Sequence, residues 1–214
     1  SSAASDVYKR QSESVPFIKT GGLADVVGSL PKWFDKKEYD VRVIIPKYMC
    51  IDEKWKSKMQ YVDHFYMDLC WRRQYVGILQ MELDGVTYYF IDNEYYFSGP
   101  KPYGDVRYDL EKFAFFSRAV LSALPVIGFR PDIIHCHDWH TGLIPVYLKD
   151  SFAYSEFYQG IKSIMTIHNL KFQGVWDINT IKDIAGLSDY YFTSDKLKDY
   201  DNCLLYTSPS PRDS

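Results

Sequence analysis

Three short stretches gather most of the side chains that could do chemistry: Lys19-Thr-Gly-Gly-Leu23, His135-Cys-His-Asp-Trp-His140 and His168-Asn169. The first sets a lysine and two adjacent glycines, Gly21 and Gly22, directly before an apolar helical pattern. Glycines at a helix start let the backbone approach a ligand closely, and the first free N–H groups of the helix point at it. Lys19 adds a mobile positive charge, and Asp25 falls in the first turn, where a carboxylate suits the helix dipole. Chemically this is an anion cradle; a solvated lysine before a tight turn is the plainer alternative. The other two stretches hold four of the five histidines, His64 being the exception. H-x-H-x-x-H with Asp138 inside admits zinc ligation, or a helix entry capped by Asp138. It also admits a polar site whose carboxylate and imidazoles hydrogen-bond sugar hydroxyls while Trp139 or Tyr103 lies against a pyranose face. A core histidine is the plain reading of His168, and its place at a strand end beside Asn169 argues for the site instead. There is no G-x-x-x-x-G-K-[ST] loop, no G-x-G-x-x-G and no G-x-S-x-G, so Walker-type, nicotinamide and nucleophile-elbow chemistries lack their fingerprints.

The elements that must position these stretches alternate between strand and helix. Leu23, Val26, Val27, Leu30 and Phe34 recur at helical spacing and predict one buried face. Residues 41–45, closed by Pro46, predict a short buried strand. Segments 74–83 and 86–92 flank Asp84-Gly85 and predict a β-hairpin. Segment 109–128 predicts a helix with Phe113, Phe116, Val120 and Leu124 inward, Asp109 as its N-cap and Gly128 at its end. Strands at 131–135 and 162–167 and helices at 141–148 and 178–185 complete the pattern. Repeated βα units imply an α/β, Rossmann-like, mostly parallel sheet flanked by helices, with ligands beyond the carboxyl ends of the strands.

The chain has 214 residues, 46% hydrophobic and 25% charged, with a net charge of −3. That is a globular composition with no basic face for nucleic acid or anionic lipid. Nineteen tyrosines suit sugar surfaces and domain cores alike. Cys50, Cys70, Cys136 and Cys203 form no C-x-x-C pair and fit a reduced compartment. No run reaches the ~20 apolar residues of a membrane span. Both ends read as adapter-derived tails, residues 1–11 and 203–214, around a fold of 12–202. On this reading the strand that should precede the glycine loop is missing.

Residues 12–31, ending Lys19-Thr-Gly-Gly-Leu-Ala-Asp-Val-Val-Gly-Ser-Leu-Pro31, closely resemble the start of bacterial glycogen synthases and plant starch synthases. Arg130-Pro-Asp-Ile-Ile-His-Cys-His-Asp-Trp-His-Thr-Gly-Leu143 and Thr166-Ile-His-Asn-Leu-Lys-Phe-Gln-Gly174 match the same family, in the same order. The resemblance implies the N-terminal half of a two-domain GT-B glycosyltransferase, its C-terminal domain missing. It implies a retaining transfer of glucose from an ADP-glucose donor to an α-1,4-glucan acceptor, with no cofactor and no metal. Asp138 and His168 would then lie near the transferred sugar. Lys19, Gly21, Gly22, Tyr103 and Asn169 would bind the donor, and Asp25, Trp139 and His140 would shape the cleft. The resemblance also implies a cytoplasmic enzyme in a bacterium, or a plastid one in a plant. The absent domain supplies most nucleotide contacts in the family, so the chain alone is expected to be inactive. A noncatalytic carbohydrate-binding module and a glycosyltransferase with another donor are the alternatives.

Overall fold

The computed structural model describes residues 5–10, 14–19, 22–104, 106–168, 175–193, 198–199 and 202–204. In chain order the elements are β1 (Ser5–Arg10), α1 (Gly22–Ser29), β2 (Tyr39–Pro46), α2 (Glu53–Lys56), β3 (Gln60–Leu69), β4 (Arg72–Leu83), β5 (Val86–Asp92), α3 (Glu94–Phe97), α4 (Val106–Val126), β6 (Ile133–His137), α5 (Leu143–Lys149), β7 (Lys162–Thr166), β8 (Val175–Asp177), α6 (Ile178–Ala185), β9 (Lys198–Asp199) and β10 (Asn202–Leu204). Seven strands form one sheet in the order β3-β4-β5-β2-β1-β6-β7. β5, β2, β1, β6 and β7 run parallel, and β3 and β4 extend the sheet antiparallel. A small antiparallel sheet joins β8, β10 and β9.

The expected missing first strand is the main correction. β1 lies between β2 and β6, with Val7 opposite both Val41 and Ile133. The polar look of residues 1–11 misled because a central slot is filled by backbone. N–H and C=O groups on both neighbours require partners, whatever side chains the inserted strand carries. At the other end, residues expected outside the fold from 203 onward include Cys203 and Leu204 of β10, paired with Trp176 and Val175. Residues 205–214 lie outside the described residues.

With β1 in place, the parallel strands run outward from it in two directions, first β2 and β5, then, after α4 crosses over, β6 and β7. The strand order therefore reverses between β1 and β6, which makes that point the crevice where α/β sheets bind ligands. Phe113, Phe116, Val120 and Leu124 of α4 are buried as expected, and the last three pack the core together with Phe90, Phe115 and Ile134. The β4–β5 hairpin forms, with Asp84 and Gly85 both at positive φ (52° and 74°) as its turn requires.

Smaller departures share one cause: tertiary packing overrides local pattern. Asp109 lies inside α4 and accepts a hydrogen bond from Gly104 N instead of capping the helix. α1 stops at Ser29 and tightens into a 3₁₀ turn, Leu30–Trp33, that places Pro31 near its start. Ala24 and Val27 are buried while Val26 is exposed, so the buried face is rotated from the one expected; the Leu23 side chain lies outside the described residues. Gly28 faces Val15 so closely that an added Cβ would stand 2.5 Å from its carbonyl oxygen. β6 starts and ends two residues later than expected, and a 3₁₀ turn, Trp139–Thr141, precedes α5.

Candidate functional site

The shift of β6 puts His135 and His137 within the strand, two residues apart and so on one face of it. Their rings stack with centroids 4.2 Å apart, and His137 stacks in turn on His168 at 5.2 Å. His137 Nδ1 and His168 Nε2 are 2.9 Å apart, and His135 Nε2 lies 2.6 Å from Thr166 Oγ1. His137 is buried, whereas His168, at the end of β7, is exposed. His135 and His137 entered the sequence pattern only as members of the H-x-H-x-x-H cluster, with no role of their own. The signal that could have found them was the H-x-H alternation inside a strand.

Asp138 follows β6 at φ 56° and ψ −179°, a backbone region nearly restricted to glycine that costs on the order of 1–3 kcal/mol. Hydrogen bonds at its N–H, its carbonyl and its carboxylate hold it there. Its N–H donates to Thr166 O at 3.0 Å, its carbonyl accepts from Thr141 N at 3.2 Å, and its carboxylate Oδ1 accepts from His168 N at 2.8 Å. The helix cap that was one alternative for Asp138 is not formed, and a clasp between the ends of β6 and β7 stands in its place. Thr141 reinforces the turn, its Oγ1 accepting from His137 N at 2.9 Å.

Trp139 and His140 continue into an aromatic wall. The His140 ring lies 5.0 Å from Tyr103, 4.8 Å from Phe113 and 4.3 Å from Trp139, and Trp139 packs edge-on against Phe113 at 5.5 Å. His140 Nδ1 is buried with no hydrogen-bond partner among the described residues. Burial, aided by the charge of Lys112, lowers its pKa to about 3, so His140 is neutral at pH 7 and serves as a packing ring rather than an acid.

Lys19 and Asp25 belong to the neighbouring connection, from β1 into α1. Phe17 anchors it, buried against Trp55, Tyr88 and Phe90. Lys19 Nζ pairs with Asp25 Oδ2 at 2.6 Å, both side chains about half exposed. The two residues thus engage each other rather than Asp138 or His168, although β1 and β6 are adjacent and their carboxyl ends share one sheet edge. Gly22 opens α1. Gly21 and Asn169 lie outside the described residues. Among the described residues no three His, Cys, Asp or Glu side chains are arranged to hold a metal ion, and no helix is long and apolar enough to cross a membrane.

A Rossmann-like sheet with stacked histidines at its switch point places the chain among the open α/β domains, which bind ligands beyond the carboxyl ends of their strands. The chain belongs to the starch synthase catalytic domain family, whose model matches residues 10–207. It is 70% identical over 89% of its length to a glycogen synthase of Lachnospira eligens and 50% identical over 88% to one of Anoxybacillus flavithermus. It spans about 40% of the length of these relatives. Among solved structures it is similar to the catalytic domain of starch synthase IV from Arabidopsis thaliana bound to ADP and acarbose. That match has a TM-score of 0.76 and 28% identity, over 95% of this chain and 42% of that one. A GT-B glycosyltransferase part is thus favoured over a noncatalytic module.

Proposed function

We propose that this chain is the N-terminal part of a bacterial, cytoplasmic glycogen synthase that transfers glucose from ADP-glucose to the non-reducing end of an α-1,4-glucan with retention. The observation that carries the reading is the clasp of Asp138 to His168 at the switch point, beside the connection that bears Lys19. The names of its relatives and the ADP and acarbose bound to its structural neighbour support the substrate classes.

Breaking a glycosyl phosphate builds negative charge on the departing diphosphate and positive charge on the sugar. Fixed donors oppose the first and fixed acceptors the second. Asp138 holds a carboxylate, and His168 an imidazole, where the transferred glucose would sit. Lys19 and Gly22 face the diphosphate at the start of α1, where free N–H groups favour an anion, and Gly21 is assigned to the same donor. Lys19 exchanges the Asp25 carboxylate for phosphate oxygens when the donor arrives. Tyr103 and Asn169 complete the donor side, and Trp139 and His140 form the wall. Transfer also needs the positive groups of the second domain, so the 214-residue chain alone does not turn over.

Kinetics of the full-length enzyme, with donor and acceptor varied separately, test this. His168→Ala lowers glucosyl transfer strongly with little change in melting temperature. Lys19→Gln lowers turnover about 10²–10³-fold, or on the order of 2.7–4 kcal/mol, with part of the loss in donor KM and little in acceptor KM. Unchanged donor kinetics in Lys19→Gln, or a His168→Ala enzyme that is merely unstable, overturns the assignment.

A further inference from the structure

Away from the switch point, the β3–β4 hairpin carries a second constellation that the reaction does not use. The last β4–β5 pair on this side is Gly77 with Asp92, so Arg72–Val76 and their β3 partners run on beyond it. Five residues of strand overhang the carboxyl edge of the sheet by about 17 Å. Between this tip, α3 and α4 lies an open groove of about 450 Å³, lined by Trp71, Arg72, Arg73, Gln74, Tyr95 and Glu111.

Trp71 is 72% exposed, yet it is held in place. The Arg72 guanidinium covers one face of its ring at 4.1 Å, and its indole N–H donates to Asp183 Oδ1 at 3.2 Å. Arg72 is itself fixed by Glu111 at 2.6 Å, both side chains only 14% exposed, and by Asp183 at 3.2 Å. Tyr95, also exposed, stands edge-on against Tyr96 and Tyr108. Two fixed aromatic platforms flanked by Arg73, Gln74 and Glu111 match a pyranose ring, which has an apolar C–H face and a rim of hydroxyls. Glu111, Asp183 and the net charge of −3 disfavour a polyanion there.

We infer that this groove is a glucan-binding site remote from the reacting chain end, with Trp71 and Tyr95 as its stacking surfaces. The inference rests on the glucan-acceptor reading proposed above. Its geometry relative to the site supports a polymeric ligand. Glu111 and Phe113 lie two residues apart on α4 and so on opposite sides of it. Phe113 packs against Trp139 and His140, so one helix, about 10 Å across, separates groove from crevice. A long glucan can occupy both, whereas a short oligosaccharide occupies one.

Affinity electrophoresis in glycogen-containing gels, on the 214-residue chain and the full-length enzyme, tests the groove without needing donor chemistry. Trp71→Ala should bind glycogen about tenfold more weakly, equivalent to about 1.4 kcal/mol, and Trp71→Phe should restore much of the loss. In the full-length enzyme Trp71→Ala should raise KM for glycogen and leave KM for ADP-glucose and for a short maltooligosaccharide unchanged. Glycogen retardation equal to wild type overturns the groove. A parallel rise in KM for the short acceptor also overturns it, by assigning Trp71 to the reaction site. A wild-type enzyme that binds glycogen through Trp71 but transfers nothing from ADP-glucose would instead defeat the functional reading alone.

Discussion

The two connections that meet at the switch point are held in opposite ways. The turn after β6 is closed from within: Asp138 sits buried at positive φ, clasped to Thr166, Thr141 and the His168 backbone. The connection from β1 to α1 is anchored at Phe17 and ends in an exposed charge pair, Lys19 with Asp25. One side of the crevice is preformed, with strain stored against a network of hydrogen bonds. The other carries a cation whose partner is replaceable at little cost, since an exposed pair contributes about 0–1 kcal/mol. The difference follows the chemistry proposed for each. A group facing a transient charge gains from being fixed in advance, and a group that receives a charged donor gains from mobility.

The comparison is broken most directly at Asp138. Asp138→Ala should reduce turnover of the full-length enzyme about 10²–10³-fold. Asp138→Gly should be as inactive but more stable than the alanine variant by roughly 1–3 kcal/mol, because glycine adopts this backbone without strain. Equal unfolding free energies for the two would show that no strain is stored.

Gly28 tests the opposite side. An added methyl group meets the backbone oxygen of Val15 at 2.5 Å and its Cγ2 at 2.7 Å. Gly28→Ala should therefore destabilise the chain by about 1–3 kcal/mol and raise KM for ADP-glucose by displacing the segment that bears Lys19. Loss of stability with unchanged donor KM would separate the anchoring of this segment from its function.

His140 gives a pH test of the preformed wall. Its pKa is lowered to about 3 by burial, while in the unfolded chain it lies near the ordinary value of about 6.5. Between these values the unfolded state binds the extra proton, so stability falls as pH drops from about 6.5 toward 3. The slope from this group approaches about 1.4 kcal/mol per pH unit. Above about 6.5 the group contributes no slope. The difference in unfolding free energy between wild type and His140→Phe, measured from pH 7 to 4, should show this dependence; a constant difference would mean the ring is solvated when folded. The smallest effect is expected at Lys19, where Lys19→Gln should change chain stability by less than about 1 kcal/mol, as read by denaturant titration.

Local pattern determined a large part of this molecule before any tertiary structure. The β4–β5 hairpin was legible because Asp84-Gly85 fits a turn that needs two positive φ values. The α4 stripe was legible because Phe113, Phe116, Val120 and Leu124 repeat at helical spacing. The spaced motifs around Lys19, Asp138 and His168 pointed to the family to which the chain belongs. What only the tertiary structure decided was β1, and with β1 the switch point itself. A central parallel strand is selected by the unpaired N–H and C=O groups of β2 and β6, and a six-residue segment reading Ser-Asp-Val-Tyr-Lys-Arg carries no periodicity to announce that. The clasp at Asp138 and the stacked histidines likewise depend on β6 and β7 lying side by side, a contact between residues about thirty apart that no local spacing encodes.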